Sequence, residues 1–294
     1  METRLLKYFL TIAQLGTISQ AARELHITQP TLSRQLKSLE DELGTRLFTR
    51  EQHQMILTKA GLEFQNDAKQ IIKMIERSQQ RVKQVENDIV GTIAVGCIEA
   101  NAAQLLASVI KEYHQKYPGV KFELYDLDST DIQERLDQGL LDLGIVLKPS
   151  ETIKYHSKDL NLTDKWGVVV PKKRFPEQIS IKKADLLKLP LFITRNNIMQ
   201  SEMKTLLGIS FSQLNLVGIQ NLVSNSLYLT DNETAYPLCA SGAFVGETKT
   251  LKFLQIDNVK PIYQQMIWSK QRKVPTIVNK FIEMMIKIDS NNNE

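Results

Sequence analysis

The chain has 294 residues, of which 42% are hydrophobic and 24% are charged, and this composition excludes a disordered protein and is typical of a folded globular one. No apolar run approaches the roughly 18 residues of a membrane helix, and the amphipathic start lacks a signal-peptide core, so we expect no membrane partner and a cytoplasmic location. The net charge of +4 is compatible with nucleic acid but too small to indicate it alone.

Neither the cysteines nor the histidines of the chain have the spacing that catalysis or metal binding requires. The cysteines Cys97 and Cys239 are far apart and belong to no Cys/His cluster, so we expect free thiols and no zinc site. The four histidines have no metal-ligand spacing, and no GxGxxG, P-loop or GxSxG motif occurs. We therefore predict a protein that is not an enzyme and has no cofactor.

The first 25 residues predict two helices. Apolar residues recur on one helix face between residues 5 and 13, and Gly16 ends that helix. Thr17 then begins a capping box that starts a second helix. Ala21 and Ala22 on its inner face would let another helix approach closely.

A third helix is predicted to begin after Thr28, a good N-cap, with Gln29 and Pro30 in its first turn. No acidic side chain occurs from residue 29 to residue 39, whereas residues 40 to 42 are all acidic. Because phosphates repel carboxylates, the first turns of this helix are expected to face DNA, as in a helix-turn-helix. The alternative is a three-helix bundle whose polar face is only solvated.

Residues 47–50 and 55–58 flank a polar tip and predict a β-hairpin. A hairpin that follows a helix-turn-helix is a wing. Arg46 and Arg50 at its base would reach the phosphate backbone.

The string "ISQAARELHITQPTLSRQLKSLEDELGTRLFTR", followed by "LTKAG", resembles the N-terminal domain of LysR-type transcriptional regulators. The family pattern is AA..L..(S/T)QP..S.QI..LE..LG..LF.R and then LT.AG. The resemblance implies a winged helix-turn-helix domain over residues 1–58 that binds a double-stranded DNA operator. Family wings often carry a basic residue where this chain has His53, so wing contact is weaker or pH-sensitive, or else His53 is merely solvated. The residues that the resemblance and the helix face assign to DNA are Thr28, Gln29, Pro30, Thr31, Ser33, Arg34, Lys37, Arg50 and His53.

Residues 59–90 predict one long helix whose apolar or small residues recur at alternating steps of three and four, a heptad seam. In the LysR-type family this segment is a dimerisation linker, and the resemblance implies a homodimer or tetramer on an operator of matching symmetry. The alternative is a helix docked on its own chain. The seam residues are Gly61, Phe64, Ala68, Ile71, Ile75, Ser78, Val82, Val85 and Ile89.

The periodicity changes at residue 91. Strands at 92–96, 120–125 and 141–146, with helices at 102–117 and 131–138 between them, predict a parallel sheet. A second set has strands at 166–171, 191–194, 214–219 and 243–246, before a strand at 264–270 and a helix at 274–286.

This arrangement resembles the two-lobed, periplasmic-binding-protein-like effector domain of the same family, and makes the fold class α/β overall. It predicts an effector-binding domain over residues 91–294, with lobe one at 91–161 and 268–294 and lobe two at 162–267.

Ligands of open α/β sheets bind beyond the carboxyl ends of strands. The candidate effector-binding residues at such ends are Cys97, Ile98, Glu99, Ala100, Asn101, Asp128, Ser129, Thr194, Arg195 and Asn196.

The family commonly has Ser or Thr where this chain has Ile98, and those hydroxyls help to hold anionic effectors. A carboxylate at Glu99 would compete with an anion for helix amides, which favours a neutral, amine-bearing or partly apolar effector. The alternative is that Glu99 and Asp128 only cap their helices, and an inward-pointing Arg195 would favour an anion instead.

Two further points concern the same region. Residues 232–237 lack the Gly-x-Gly that the family often has in lobe two, so family roles are not transferred there.

Cys97 at the end of a strand is either a thiol sensor or a buried, unreactive cysteine, and its sequence neighbours include no basic residue that would lower its pKa.

The sequence thus predicts a DNA-binding transcriptional regulator whose operator binding responds to an unidentified small molecule held between two lobes. RNA polymerase is a further protein partner that this function allows. The alternative is a cytoplasmic small-molecule-binding protein or an enzyme with an accessory helix-turn-helix domain.

Overall fold

A computed structural model gives the structure and describes residues 2–51, 54–83, 89–148, 150, 153–195, 208, 211–246 and 248–291. The chain divides into two compact units, residues 1–86 and residues 87–294. Three residues singled out in the sequence, His53, Val85 and Asn196, lie outside the described residues.

The N-terminal unit consists of helices and one antiparallel hairpin, in which Glu51 pairs with Gln54. The hairpin strands therefore extend further into the predicted polar tip than the sequence indicated. The elements are α1 (Thr3–Leu15), α2 (Ile18–Glu24), α3 (Gln29–Leu43), β1 (Phe48–Glu51), β2 (Gln54–Leu57) and α4 (Lys59–Lys83).

Local signals set the ends of these helices. Gly16 ends α1 in the left-handed region at φ 71°. Thr17 caps α2 by accepting a hydrogen bond from the backbone N–H of Gln20. The Gln20 side chain accepts from the Thr17 hydroxyl at 3.1 Å, so the predicted capping box forms with a different second bond. His26, at φ 53°, lets the chain turn towards α3 within a few residues.

An aromatic cluster lies at the centre of this unit. The Phe9 ring is 5.2 Å from the Phe48 ring and 5.0 Å from the Phe64 ring, between centroids. Phe64 belongs to α4, and Ala68 one turn further along is fully buried. The first half of α4 is therefore docked on its own unit. The α4 start also lies close to the hairpin, since a Cβ on Gly61 would be 2.1 Å from the Leu47 carbonyl oxygen.

The predicted heptad seam does not behave as one stripe. Phe64 and Ala68 pack inside the unit, whereas Ile71 of the same seam remains 36% exposed, as does Met74, outside the predicted seam, at 40%. The prediction that the helix continues to Ile89 is wrong, because Ile89 lies in a bend and packs against the core of the C-terminal unit.

The first sheet of the C-terminal unit has the order β4-β3-β5-β13-β6. Strands β3, β4 and β5 are parallel, as the strand-helix alternation predicted, and β13 is antiparallel to both of its neighbours. We call this sheet and its helices lobe one. Its elements are β3 (Gly91–Cys97), α5 (Ala102–Lys116), β4 (Val120–Asp126), α6 (Ser129–Asp137), β5 (Leu143–Leu147), β6 (Tyr155–Asp164), β13 (Ile262–Ser269) and α9 (Thr276–Asn291).

The second sheet has the order β10-β9-β11-β7-β12-β8, and we call it and its helices lobe two. The predicted strand at 243–246 is wrong. The strand is β11, and a 3-10 turn at Ser241–Ala243 follows it. Proline is rare inside strands, so Pro237 weakens the sequence signal for a strand in this segment. The elements are β7 (Trp166–Pro171), β8 (Ser180–Ile181), α7 (Lys183–Leu186), β9 (Leu191–Thr194), β10 (Leu216–Gln220), α8 (Ser226–Asp231), β11 (Tyr236–Ala240) and β12 (Leu251–Ile256).

The chain crosses between the lobes twice. The first crossing is at Lys165, between β6 and β7, and the return lies between β12 and β13. Strand β6 ends at Asp164 and β13 starts at Ile262, so residues 162–164 and 262–267 belong to the sheet of lobe one and not to lobe two as the sequence suggested.

Candidate DNA interface and effector cavity

The start of α3 is fixed by Thr28. Its Oγ1 accepts a hydrogen bond from the Thr31 backbone N–H at 3.4 Å and lies 2.8 Å from the Thr31 hydroxyl. Pro30 occupies the first turn, where its missing N–H leaves no helix bond unmade. These local contacts orient the first turns of α3, as the sequence predicted.

The face of α3 opposite the buried leucines is open to solvent. Thr28, Gln29, Pro30, Arg34 and Lys37 are exposed, and Thr31 and Ser33 are half-buried. Arg34, Lys37 and Arg50 form no ion pair with any residue that the structure describes. These cations are therefore not neutralised within the described chain.

A groove runs between α3 and the hairpin, and Ser33, Lys37, Arg46 and Arg50 contribute to its lining. Glu40 lies in the same groove, and its carboxylate accepts hydrogen bonds from the backbone N–H groups of Leu47 at 2.8 Å and Phe48 at 3.2 Å. One acid of the cluster at 40–42 thus fixes the hairpin to α3.

The C-terminal unit contains a cavity of about 70 Å³ between its two lobes. The carboxyl ends of β3, β4 and β5 in lobe one and of β9, β10 and β11 in lobe two all meet there. Ligand sites of open α/β sheets have this position. The lining consists of Ile98, Glu99, Leu127, Asp128, Ser129, Leu147, Trp166, Thr194, Gln220, Asn221, Leu222, Val223, Leu238, Cys239, Ala240 and Ala243.

Five of the residues singled out in the sequence line this cavity: Ile98, Glu99, Asp128, Ser129 and Thr194. Cys97 and Ala100 are instead buried in the packing of lobe one. The side-chain amide of Asn101 donates to the Thr163 carbonyl oxygen. Arg195 is not part of the lining but pairs with a residue that is.

Glu99 does not cap α5. Its carboxylate reaches lobe two, where it accepts hydrogen bonds from the Val223 backbone N–H at 2.5 Å and the Ser224 hydroxyl at 2.8 Å. Asp128 does cap its own helix, because its Oδ1 accepts from the Asp131 backbone N–H at 3.0 Å. Asp128 thus caps its helix but also bonds Arg195, so the alternative that these two acids only cap their helices fails for both.

The start of α5 is occupied by side chains of the chain itself. The Asn101 backbone N–H donates to Asp164 at 3.0 Å, and the Ala102 N–H donates to Gln264 Oε1 at 2.8 Å. The buried Asp164 carboxylate also accepts from the Ser241 hydroxyl at 2.8 Å, from Gly242 N–H at 2.5 Å and from the Gln264 amide. These bonds join the two lobes, and they occupy the backbone N–H donors that an anion would otherwise bind.

Arg195 forms a second link between the lobes. Its Nε donates to Asp128 at 2.6 Å and its Nη2 to Asp131 at 2.5 Å. The hydrogen bond to Asp128 raises the pKa of Arg195 above its ordinary value. The positive charge of Arg195 is thus directed to two carboxylates of lobe one.

Sequence reasoning missed Trp166 and the segment from Gln220 to Val223. The rule that placed Thr194 at a strand end applies equally to β10, which ends at Gln220 beside Thr194. Trp166 begins a strand, and it reaches the cavity because β7 is antiparallel to β11 and pairs Trp166 with Ala240. The buried Trp166 Nε1 and Gln220 Oε1 have no hydrogen-bond partner among the described residues.

Both thiols are buried. Burial, with a smaller contribution from Asp126, raises the pKa of Cys97 to about 12. Burial also raises the pKa of Cys239, with Glu99 and Asp164 adding to the effect. A thiol with so high a pKa is protonated and unreactive near neutral pH.

Among the residues that the structure describes, no helix has the length and apolarity needed to cross a membrane. The same residues contain no group of three or more His, Cys, Asp or Glu side chains arranged to hold a metal ion.

A winged helix-turn-helix unit followed by a two-lobed α/β unit with an interlobe cavity defines a DNA-binding regulator that responds to a ligand. Residues 3–62 match the model of the bacterial regulatory helix-turn-helix protein of the lysR family, and residues 86–287 match the LysR substrate binding domain. The chain belongs to the LysR family of transcriptional regulators.

Curated relatives agree with this assignment. The chain is 36% identical over 203 residues to the HTH-type transcriptional regulator BsdA of Bacillus subtilis, covering 66% of this chain and 67% of BsdA. It is 33% identical over 156 residues to AlsR of the same organism, covering 53% of this chain and 52% of AlsR.

Solved structures share the fold. CbnR in complex with its target DNA superposes with a TM-score of 0.73 at 22% identity, covering 98% of this chain and 100% of CbnR. The two family models that match the chain make it a DNA-binding transcriptional regulator with an effector-binding domain.

Proposed function

We propose that the open face of α3 and the base of the hairpin bind the operator. The observation that supports this is the pair of exposed cations Arg34 and Lys37, which have no ionic partner among the described residues. Thr28, Gln29, Pro30, Thr31 and Ser33 complete the face at the end of α3 that carries no acid. Arg50 binds a phosphate from the hairpin, and His53 lies at its tip in sequence.

The experiment is footprinting by the full chain on DNA from upstream of its gene and of neighbouring genes. The double variant Arg34→Ala, Lys37→Ala is expected to lose the footprint. The matched control Lys249→Ala removes an exposed cation from lobe two and is expected to keep it. A footprint that survives the double variant would refute this placement of the recognition helix.

The second part of the proposal is that a small molecule binds in the interlobe cavity and changes how the assembly holds DNA. Glu99 and Arg195 support it, because both cross the cleft and a ligand that alters their bonds alters the closure of the lobes. The packing of lobe one next to the cavity includes Cys97 and Ala100, and Asn101 bonds the Thr163 carbonyl oxygen of the same lobe. Asn196, which follows Arg195 in sequence, is proposed as a further effector-binding residue.

The third part of the proposal is self-association through α4. Ile71 and Met74 are exposed apolar side chains one turn apart on a helix with heptad periodicity. A second copy would cover them. Analytical ultracentrifugation of Ile71→Glu should show a lighter species than the parent chain, and the control Lys73→Glu should not. A mass that is unchanged in Ile71→Glu would contradict the assignment of this stripe.

We further propose that the protein acts by binding rather than by catalysis, since the named relatives are transcriptional regulators. RNA polymerase is the protein partner that a regulator bound near a promoter would contact.

A further inference from the structure

We propose that the interlobe cavity selects a small, uncharged ligand with one hydrogen-bond acceptor and one donor, such as a primary amide or a lactam, and rejects the matching carboxylate. This inference rests on the proposed effector site and adds the chemical class of its ligand.

The size and walls of the cavity limit the ligand. About 70 Å³ accommodates roughly five to seven non-hydrogen atoms. Much of the surface is apolar, with Ile98 and Leu127 from lobe one and Val223 and Leu238 from lobe two. A compact branched aliphatic body fits such walls, because burying apolar atoms there removes them from water.

Trp166 supplies the donor. The residue lines the cavity, it is only 4% exposed, and its Nε1 has no acceptor among the described residues. An indole N–H usually finds a partner when it is buried. A ligand oxygen that accepts from Nε1 would supply the missing partner.

Gln220 supplies the acceptor. It also lines the cavity, and its buried Oε1 has no donor among the described residues. A ligand N–H or O–H would satisfy it. With Oε1 of the Gln220 amide directed as the structure has it, the two protein groups are of opposite type, and a ligand that carries both functions satisfies both. An ionised carboxylate has no proton to donate to that oxygen and would have to turn the amide to bond it.

The charges around the cavity disfavour anions. Glu99 and Asp128 belong to the lining, and Asp131 lies beside them. Their three carboxylates outnumber the single guanidinium of Arg195, which already bonds two of them. The amides at the start of α5, an anion site by geometry, are held by Asp164 and Gln264. An incoming carboxylate would therefore meet a net negative cavity without a free cation among the described residues.

Trp166 also provides the readout. The chain has two tryptophans, so a full-length Trp268→Phe variant with ¹⁵N-labelled indole retains the Trp166 signal alone. The probes are isobutyramide, its isosteric carboxylate isobutyrate, and 3-methyl-2-butanone, which accepts but does not donate. We expect isobutyramide to move the Trp166 indole resonance downfield in a saturable way, with an affinity roughly tenfold higher than that of isobutyrate.

The Gln220→Met variant separates the two hydrogen bonds. In this variant the affinity for isobutyramide should fall to the affinity for the ketone, and the affinity for the ketone should stay unchanged. The exposed control Gln271→Met should change neither affinity. Failure of isobutyramide to move the Trp166 resonance, or a weaker response to it than to isobutyrate, would overturn the proposed ligand class.

A cavity-filling variant, Ala240→Leu, distinguishes failure of the ligand class from failure of the site. If isobutyrate binds and Ala240→Leu abolishes its binding, the effector site stands and the ligand class is wrong. If a ligand stabilises the chain equally well in Ala240→Leu and in Gln220→Met, without moving the Trp166 resonance, the site itself is wrong. Thermal unfolding without ligand checks that each variant is folded.

Discussion

Glu99 Oε2 in lobe one lies 2.5 Å from the backbone nitrogen of Val223 in lobe two, and this bond joins the two walls of the cavity. The acceptor is charged and the donor is a backbone amide, so the contact belongs to the stronger class of hydrogen bonds. Glu99, for which helix capping was the alternative interpretation, is therefore a link between lobes.

The Glu99→Gln substitution should loosen that link while preserving the shape of the side chain. A neutral amide accepts a weaker bond, and the loss of about 1 kcal/mol corresponds to a roughly fivefold larger equilibrium constant for opening of the contact, and so to roughly fivefold faster exchange of the amide. Hydrogen exchange of the Val223 amide measures this opening. The control Glu177→Gln, an exposed change in lobe two, should leave the rate unchanged, and equal rates in both variants would show that Glu99 does not hold the segment.

Asp164 is expected to be among the polar residues whose replacement costs most stability. It is 1% exposed, and its carboxylate accepts hydrogen bonds from Asn101, Ser241, Gly242 and Gln264. The Asp164→Asn substitution places an amide NH₂ among donors and should lower the free energy of unfolding of the C-terminal unit by about 3 kcal/mol or more.

Urea unfolding followed by fluorescence of the two tryptophans, both in this unit, measures the change at Asp164. The matched control is Asp159→Asn, whose side chain is 67% exposed and pairs with Lys148 at the surface. That change should cost less than about 1 kcal/mol. Equal losses in the two variants would contradict a central role for the Asp164 network.

Single substitutions at Arg34 and Lys37 should weaken operator binding by about 1–3 kcal/mol each. For every phosphate contact removed, the slope of log K against log salt should become less steep by about 0.9. Fluorescence anisotropy at several salt concentrations gives both quantities. Lys249→Ala should leave the affinity and the slope unchanged, and a variant of Arg34 and Lys37 that keeps the parental slope would argue against phosphate contact.

Neither thiol should react in the folded protein at pH 8. Burial raises the pKa of Cys97 to about 12 and raises that of Cys239 as well, so the thiolate that attacks a disulfide reagent is scarce. Ellman's reagent should be consumed slowly by the native chain and rapidly after unfolding in urea. A fast phase of one thiol in the native protein would instead support thiol sensing at Cys97 or Cys239.

Local signals made much of the DNA-binding unit predictable. Thr28 caps α3, Gly44 ends it in the left-handed region, and Thr58 starts α4 by accepting from the Gly61 N–H, all within four residues along the chain. The docking of Ala68 and the position of Ile89 were not predictable in this way. A heptad seam does not reveal which of its residues are covered by the same unit.

The cavity was only half predictable for a similar reason. Strand ends such as Thr194 can be read from sequence, but the partner of Glu99 is Val223, 124 residues away, and only the packing of two lobes brings them together. Trp166 was missed because its place depends on the antiparallel pairing of β7 with β11. Non-local pairing of this kind leaves no periodic trace in the sequence.

Trp166 comes directly after Lys165, the residue at which the chain passes from lobe one to lobe two. A ligand that contacts Trp166 therefore binds next to the point about which the two lobes are connected. If lobe two turned as a rigid body about this crossing, a small shift beside it would become a larger displacement at the outer end of the lobe. The position of the site beside the crossing would therefore amplify the displacement that a ligand of only a few atoms causes.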